Sequence, residues 1–207
     1  MGGVELMATI PSPRTWTNGE EVLETYLDTD LRDGWRFFTN PPRVKVYNST
    51  GQTLAGSASG INHTLMTWDT EIYDTDGMHS TSSNTGRLTA VTAGAYQVIL
   101  HVNWSIDNSV SNISVGPGNR YSSVHLNDTT NADPTSNPTR QIGTDISHML
   151  PSDGLGPQTS HINFQRFFTA GDYITAVVTT SSTQSVTTIV SGQPTRTFFA
   201  MRWIGTT

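Results

Sequence analysis

Thr67-Trp68-Asp69-Thr70-Glu71-Ile72-Tyr73-Asp74-Thr75-Asp76-Gly77-Met78-His79-Ser80, then Thr85-Gly86-Arg87-Leu88-Thr89, then Thr92-Ala93-Gly94-Ala95-Tyr96-Gln97-Val98-Ile99-Leu100, repeats one pattern. Polar turns rich in Asp, Gly and Asn separate short runs whose side chains alternate. A period of two sends successive side chains to opposite faces of a strand, and the turn residues let the chain reverse. Gly94 permits a tight entry, after which Tyr96, Val98, Leu100 and Val102 face one side and Gln97, Ile99, His101 and Asn103 the other. The stretch predicts a β-sandwich.

Working outward, the same reading predicts strands at 43–47, 64–68, 86–91, 95–104, 121–126, 161–168, 173–180, 185–190 and 197–204. Ala170-Gly171-Asp172-Tyr173 is another turn feeding a strand, with Ile174, Ala176 and Val178 on one face. Eight or more short antiparallel strands in a chain of this size make an all-β jelly roll or a related sandwich. At the end of the chain Phe199, Met201 and Trp203 alternate with Phe198, Ala200, Arg202 and Ile204. Both sides are largely apolar, as in a strand covered on both faces in mid-sheet or at a subunit interface. Phe199, Met201 and Trp203 are therefore the candidate core or subunit-interface residues. The domain spans 43–207 and carries a long polar insertion at 127–160, with turn-rich runs such as Asn131-Ala132-Asp133-Pro134. Within it, residues 142–150 read as a short turn of helix.

Residues 1–42 form a separate N-terminal unit. Pro11 and Pro13 stiffen an extended leader, Asn18-Gly19-Glu20-Glu21 offers an N-cap, and one amphipathic helix is expected from 20 to about 38, ended by Asn40-Pro41-Pro42. Its stripe is Leu23, Leu27, Leu31 and Trp35, with Val22, Tyr26 and Phe38 beside it. A lone helix of this length is marginal in water, so the stripe needs cover from the sandwich, from copies of itself or from another protein. Trp16, Leu23, Leu27, Leu31 and Trp35 are the candidate assembly or anchoring residues. Met7 serves as well as Met1 for the natural start.

Composition removes several classes of function. The 207 residues carry a formal charge of −6 with eleven Lys and Arg spread thinly, which leaves no basic stripe for nucleic acid. With no cysteine there is no disulfide framework, thiolate metal site or cysteine nucleophile. No stretch approaches twenty apolar residues and the first residues lack a signal-peptide pattern, so the expectation is synthesis in the cytoplasm and no membrane insertion.

Chemistry-bearing patterns are weak. The six histidines show no His-x-His or His-x-x-x-His spacing, and His101 and His125 lie on expected strands. Asp74-Thr75-Asp76-Gly77 opens like a calcium loop but lacks the later oxygen ligand and closing glutamate, so it reads as a turn. There is no Gly-x-Ser-x-Gly elbow, phosphate loop or dinucleotide fingerprint. Five Asn-x-Ser/Thr sequons, at Asn48, Asn62, Asn103, Asn112 and Asn127, reflect a composition rich in those residues. No catalytic residue, cofactor or metal is assigned, and the expectation is a protein that is not an enzyme.

Trp68-Asp69, Tyr73-Asp74, Gly86-Arg87-Leu88-Thr89, Ala93 to Val98, Tyr121 to Asn127, Phe168 to Ile174 and Phe198 to Ile204 together resemble the jelly roll of the complement C1q globular head and tumour necrosis factor. The resemblance covers about 43–207 and departs from the usual pattern in the segment 127–160. The start, Met7 to Glu20, then Leu27-Asp28-Thr29-Asp30-Leu31-Arg32-Asp33 and Pro41-Pro42-Arg43-Val44, resembles virion proteins of tailed bacteriophages of actinobacteria. That likeness implies a structural virion protein made in the host bacterial cytoplasm. It implies a symmetric homotrimer whose inner-sheet strands meet around a threefold axis, and no enzymatic activity. The expected role is a minor tail or tail-fibre component that other virion proteins hold by its N-terminal segment. Alternatives are a head decoration protein of the same fold, or a receptor module in which the 127–160 loop with Tyr121 or Trp104 touches a host-surface glycan. An enzyme such as a depolymerase remains a further alternative.

Overall fold

The computed structural model describes residues 14–54, 62–105, 119–129, 140–148, 158–180, 188–190 and 194–206. The leader with Pro11 and Pro13, the Gly116-Pro117-Gly118 connection, the runs at 131–139 and 151–157, and the sequon at Asn112 lie outside the described residues.

Twelve strands are described, all paired antiparallel: β1 (Arg43–Tyr47), β2 (Gln52–Leu54), β3 (Asn62–Leu65), β4 (Thr70–Asp74), β5 (Arg87–Thr89), β6 (Gly94–Ser105), β7 (Asn119–Leu126), β8 (Gln141–His148), β9 (Gln158–Phe168), β10 (Tyr173–Thr180), β11 (Thr188–Val190) and β12 (Phe198–Gly205). Seven form one sheet in the order β2-β11-β6-β12-β1-β4, with β9 on the other edge of β6. Five form the second, β3-β10-β7-β8, with β5 also on β10. The expected all-β jelly roll is what the chain forms.

Alternation explains the core. Val44 and Val46 of β1, Tyr96, Val98, Leu100 and Val102 of β6, and Phe199 and Met201 of β12 face Val124 of β7 and Ile174, Ala176 and Val178 of β10, all buried. Each fully buried aliphatic side chain contributes about 1.5–3 kcal/mol, so this layer carries most of the favourable term. Trp68 reaches in from the other side of the sandwich, 5.8 Å from the Phe199 ring.

Polar turns then lock onto the sheets. One oxygen of the Asp74 carboxylate accepts the amides of Asp76 and Met78, and the other accepts that of His79. Asp76 in turn accepts the Thr92 hydroxyl, and the buried Tyr96 hydroxyl donates to the Thr92 carbonyl at 2.6 Å. Asp74-Thr75-Asp76-Gly77 is thus a turn whose first carboxylate is occupied by backbone amides.

Several sequence expectations shift. The strand expected at 64–68 ends at Leu65, after which Met66 and Trp68 leave the ladder to fill the core. Gln52–Leu54 and Thr70–Asp74 are strands not assigned beforehand. The expected strand 185–190 is described only over Thr188–Val190, residues 185–187 lying outside the described set. Residues 142–148 are strand β8 and not a helical turn, so the 127–160 segment is not wholly irregular. A register shift at Val124/His125 and an inward glycine, Gly143 opposite Val124, erase the alternation that would have announced it. A side chain at Gly143 would press on Ile162 and Phe164 of β9.

The helix also differs. Asn18-Gly19 forms a turn, with Gly19 at φ +84° and Glu20 accepting the Thr17 amide and hydroxyl. With Asn18-Gly19 held in that turn, helix begins at Glu24: α1 (Glu24–Leu27), a π-helical stretch (Asp28–Asp33) and α2 (Gly34–Thr39), with Leu23 as an N-cap that makes no side-chain bond. An α-helix turns every 3.6 residues, so a stripe spaced by four drifts around it. A π-helix, bonded i to i+5, turns in more than four and drifts the other way. Alternating the two keeps Leu23, Leu27, Leu31 and Trp35 near one line.

Gly94 has φ +153°, and a Cβ there would strike the Trp203 indole and the Gly205 carbonyl. Gly171 also has positive φ, +93°, but open space around it. Gly94→Ala should therefore cost about 1–3 kcal/mol more than Gly171→Ala, because overpacking adds to backbone strain. Urea unfolding of the two variants measures the gap, and equal losses would refute the packing role of Gly94.

Candidate assembly surfaces

The residues singled out from sequence fall into two groups. Leu23 (42% exposed), Leu27, Leu31, Trp35 (72%) and Phe38 all lie on the solvent side of the helix, away from the sandwich. The residue that docks the helix is one not singled out, Phe37, whose ring meets Trp203 edge-on at 4.8 Å. Trp16 is 44% exposed and meets Tyr26 edge-on, with the Arg14 guanidinium 3.4 Å from the Tyr26 ring centre. Of the three covers open to the stripe, the chain's own sandwich does not supply one.

Phe199 and Met201 point into the core of a single copy, and Trp203 is half-buried beneath Phe37 with its indole N–H donating to the Ala93 carbonyl. Within one copy, Phe199 and Met201 fill the core and Trp203 packs under Phe37. The face of β12 open to another molecule carries Phe198, Ala200, Arg202 and Ile204, the last 42% exposed. It continues onto β6 through Ile99 and His101 and onto β9 through His161 and Phe167, the last 45% exposed. On this face His101 stacks on Phe198 at 5.6 Å, and Lys45 sits 3.9 Å above the Phe198 ring. The outer edge of β9 has no partner strand among the described residues.

Possible reaction centres look different. Ser123 Oγ lies 2.9 Å from His125 Nε2, but both residues are only 2% exposed, and His125 Nδ1 has no hydrogen-bond partner among the described residues. A nucleophile and base sealed from substrate form a packed polar pair, not a working dyad. His79 places one ring nitrogen 2.8 Å from Glu71 and the other 3.2 Å from the Thr85 carbonyl, beside a polar recess of about 110 Å³. Sites for organic ligands start at about 300 Å³. Trp104 is fully buried and cannot serve as a sugar platform; Tyr121 is half-buried. No helix of the described residues is long and apolar enough to cross a membrane.

No family model matches the sequence, and no curated protein matches it. Solved structures match the fold. The crystal structure of murine APRIL at pH 5.0 aligns with a TM-score of 0.50 and 12% identity over 79% of this chain and 98% of that one. The structure of Eiger TNF from S. frugiperda aligns with a TM-score of 0.51 and 12% identity over 80% and 95%. At such identities the likeness establishes a jelly roll of the tumour-necrosis-factor type and nothing about activity.

Burial holds the His125 pKa below its ordinary 6.5; the carboxylate of Asp128 opposes this and His63 reinforces it. The unfolded chain therefore takes up a proton before the native one does, and stability present above about pH 6.5 falls as the pH drops toward the native pKa. Urea midpoints measured between about pH 8 and pH 5.5 should decline in the native chain, and His125→Gln should flatten part of that decline. An identical slope in the variant would refute it.

Proposed function

We propose that the chain is a non-enzymatic structural protein of a tailed-phage virion, a homotrimer of jelly rolls held on the particle by its N-terminal segment. One observation carries the reading: a single copy presents two separate apolar surfaces that its own sandwich leaves uncovered, the Leu23–Leu27–Leu31–Trp35 stripe and the outer face around Ile99, Ala200 and Ile204. Surfaces of this kind mark sites of association. A threefold ring needs two different complementary patches on each copy, and the outer face of β12, β6 and β9 together with the outer edge of β9, which has no partner strand among the described residues, offers two. The helical stripe then remains for another virion protein. The sequence likeness of the leader and helix to actinobacteriophage virion proteins supports that assignment, with a tail or tail-fibre position as the first expectation and a head decoration as the second.

The test pairs localisation with mutation. Antibody to the chain should label intact particles in electron micrographs, on the tail under the first expectation. Leu31→Ser with Trp35→Ser should abolish incorporation while leaving urea stability within about 0.5 kcal/mol, because exposed side chains contribute little to folding. Unlabelled particles, or particles that incorporate the double variant normally, would overturn the proposal.

A further inference from the structure

We propose that the helical stripe docks in a straight apolar groove of a partner protein, with a rim that is basic at the end receiving Leu23 and Leu27. The inference rests on the reading of the stripe as the anchoring surface and adds the chemistry of the partner. Val22, Leu23, Leu27, Leu31, Trp35 and Phe38 are all exposed, while Phe37 seats the helix on Trp203.

The spacing argues against a zipper between copies. Helices that close on one another in a coiled coil repeat their apolar positions alternately three and four residues apart. Here the interval is four throughout, at 23, 27, 31 and 35, and the π-helical stretch from Asp28 to Asp33 keeps the row from winding around the axis. Such a row lies along a straight groove, in the way partners receive amphipathic helices. At the α-helical rise it is about 18 Å long.

Charge specifies the rim. Glu21 and Glu24 stand beside Leu23 and Leu27, both exposed, and neither carboxylate is held by another group among the described residues. The cations nearby are engaged. Arg14 pairs with Glu20 and lies over the Tyr26 ring, and Arg32 pairs with Asp28 at 3.1 Å. Between 20 and 39 the sequence sets Glu20, Glu21, Glu24, Asp28, Asp30 and Asp33 against only Arg32 and Arg36. Unpaired carboxylates beside an apolar row repel anionic lipid and nucleic acid. They favour Lys or Arg on the receiving groove, where complementary charge fixes register and speeds encounter. Glu24 also suits the first turn of α1, where a carboxylate faces the positive end of the helix dipole. A role confined to the helix would show in circular dichroism, a docking role in binding.

The experiment is fluorescence-anisotropy titration of the full chain against two synthetic amphipathic helices of identical leucine pattern, one with lysine at its polar positions and one with glutamate. The lysine peptide should bind about tenfold tighter at low salt, and about 0.5 M NaCl should remove the difference. Leu31→Ser with Trp35→Ser should abolish binding. Glu21→Gln with Glu24→Gln should weaken the lysine peptide about fivefold with unchanged circular dichroism, and Glu21→Asp with Glu24→Asp should bind it as the native chain does. Equal binding of the two peptides, lysine-peptide binding undiminished in the serine or the glutamine variant, or capture of the chain by phosphatidylglycerol vesicles would overturn the proposal. Antibody labelling of particles is read separately: labelled particles with a chain indifferent to peptide charge remove this inference alone, whereas unlabelled particles remove the virion reading and leave the docking surface to the peptide result.

Discussion

The packing of Phe199 and Met201 against Trp68 and the facing sheet is the contact on which the remaining structure depends. β12 lies inside the seven-stranded sheet between β6 and β1, so its ladder is satisfied on both edges while its inner side chains close the core. The next inward residue, Trp203, cannot fit unless Gly94 lacks a side chain, and its exposed end is then covered by Phe37. One strand therefore fixes the core, the entry to β6 and the seat of the N-terminal helix.

The same strand has a second face. Since β-strand side chains alternate, a strand apolar on both sides in a two-layer sandwich buries one side at once and leaves the other for another layer. Phe198, Ala200 and Ile204 are that other side, bordered by Arg202, Lys45 and the two histidines. The polar turns stay outside this region. Asp74, Asp69 and Asp172 are committed to hydrogen bonds within and between turns; for Asp69 and Asp172 burial raises the carboxyl pKa, but bonds from Thr70 and Ser49, and from Asn127 and Thr169, bring it below the ordinary value. Charged turns that bond to themselves and to one another do not compete with an apolar sheet face for partners.

Much of the sandwich was legible because alternation in β6, β10 and β12 is regular, and regular alternation has one structural meaning. β8 was hidden because Gly143 and a bulge break the pattern where it pairs with β7. The helix start was misplaced because Asn18, read as an N-cap with Glu21 three positions on, instead lies in a turn that Glu20 closes by accepting the Thr17 amide and hydroxyl. For the candidate assembly surfaces, the sequence singled out a strand and a stripe but not which of their sides is buried. It could not distinguish the buried Phe199 side from the open Phe198 side, or foresee that Phe37 would dock the helix.

The proposed threefold assembly would cover the outer face of β12 and β6 with other copies of the chain. Sedimentation velocity of the whole chain at micromolar concentration tests it most directly. A single species of three times the chain mass, which Ala200→Arg converts to monomer without unfolding it, is the expected result. A well-folded, monodisperse monomer of the native chain would contradict it.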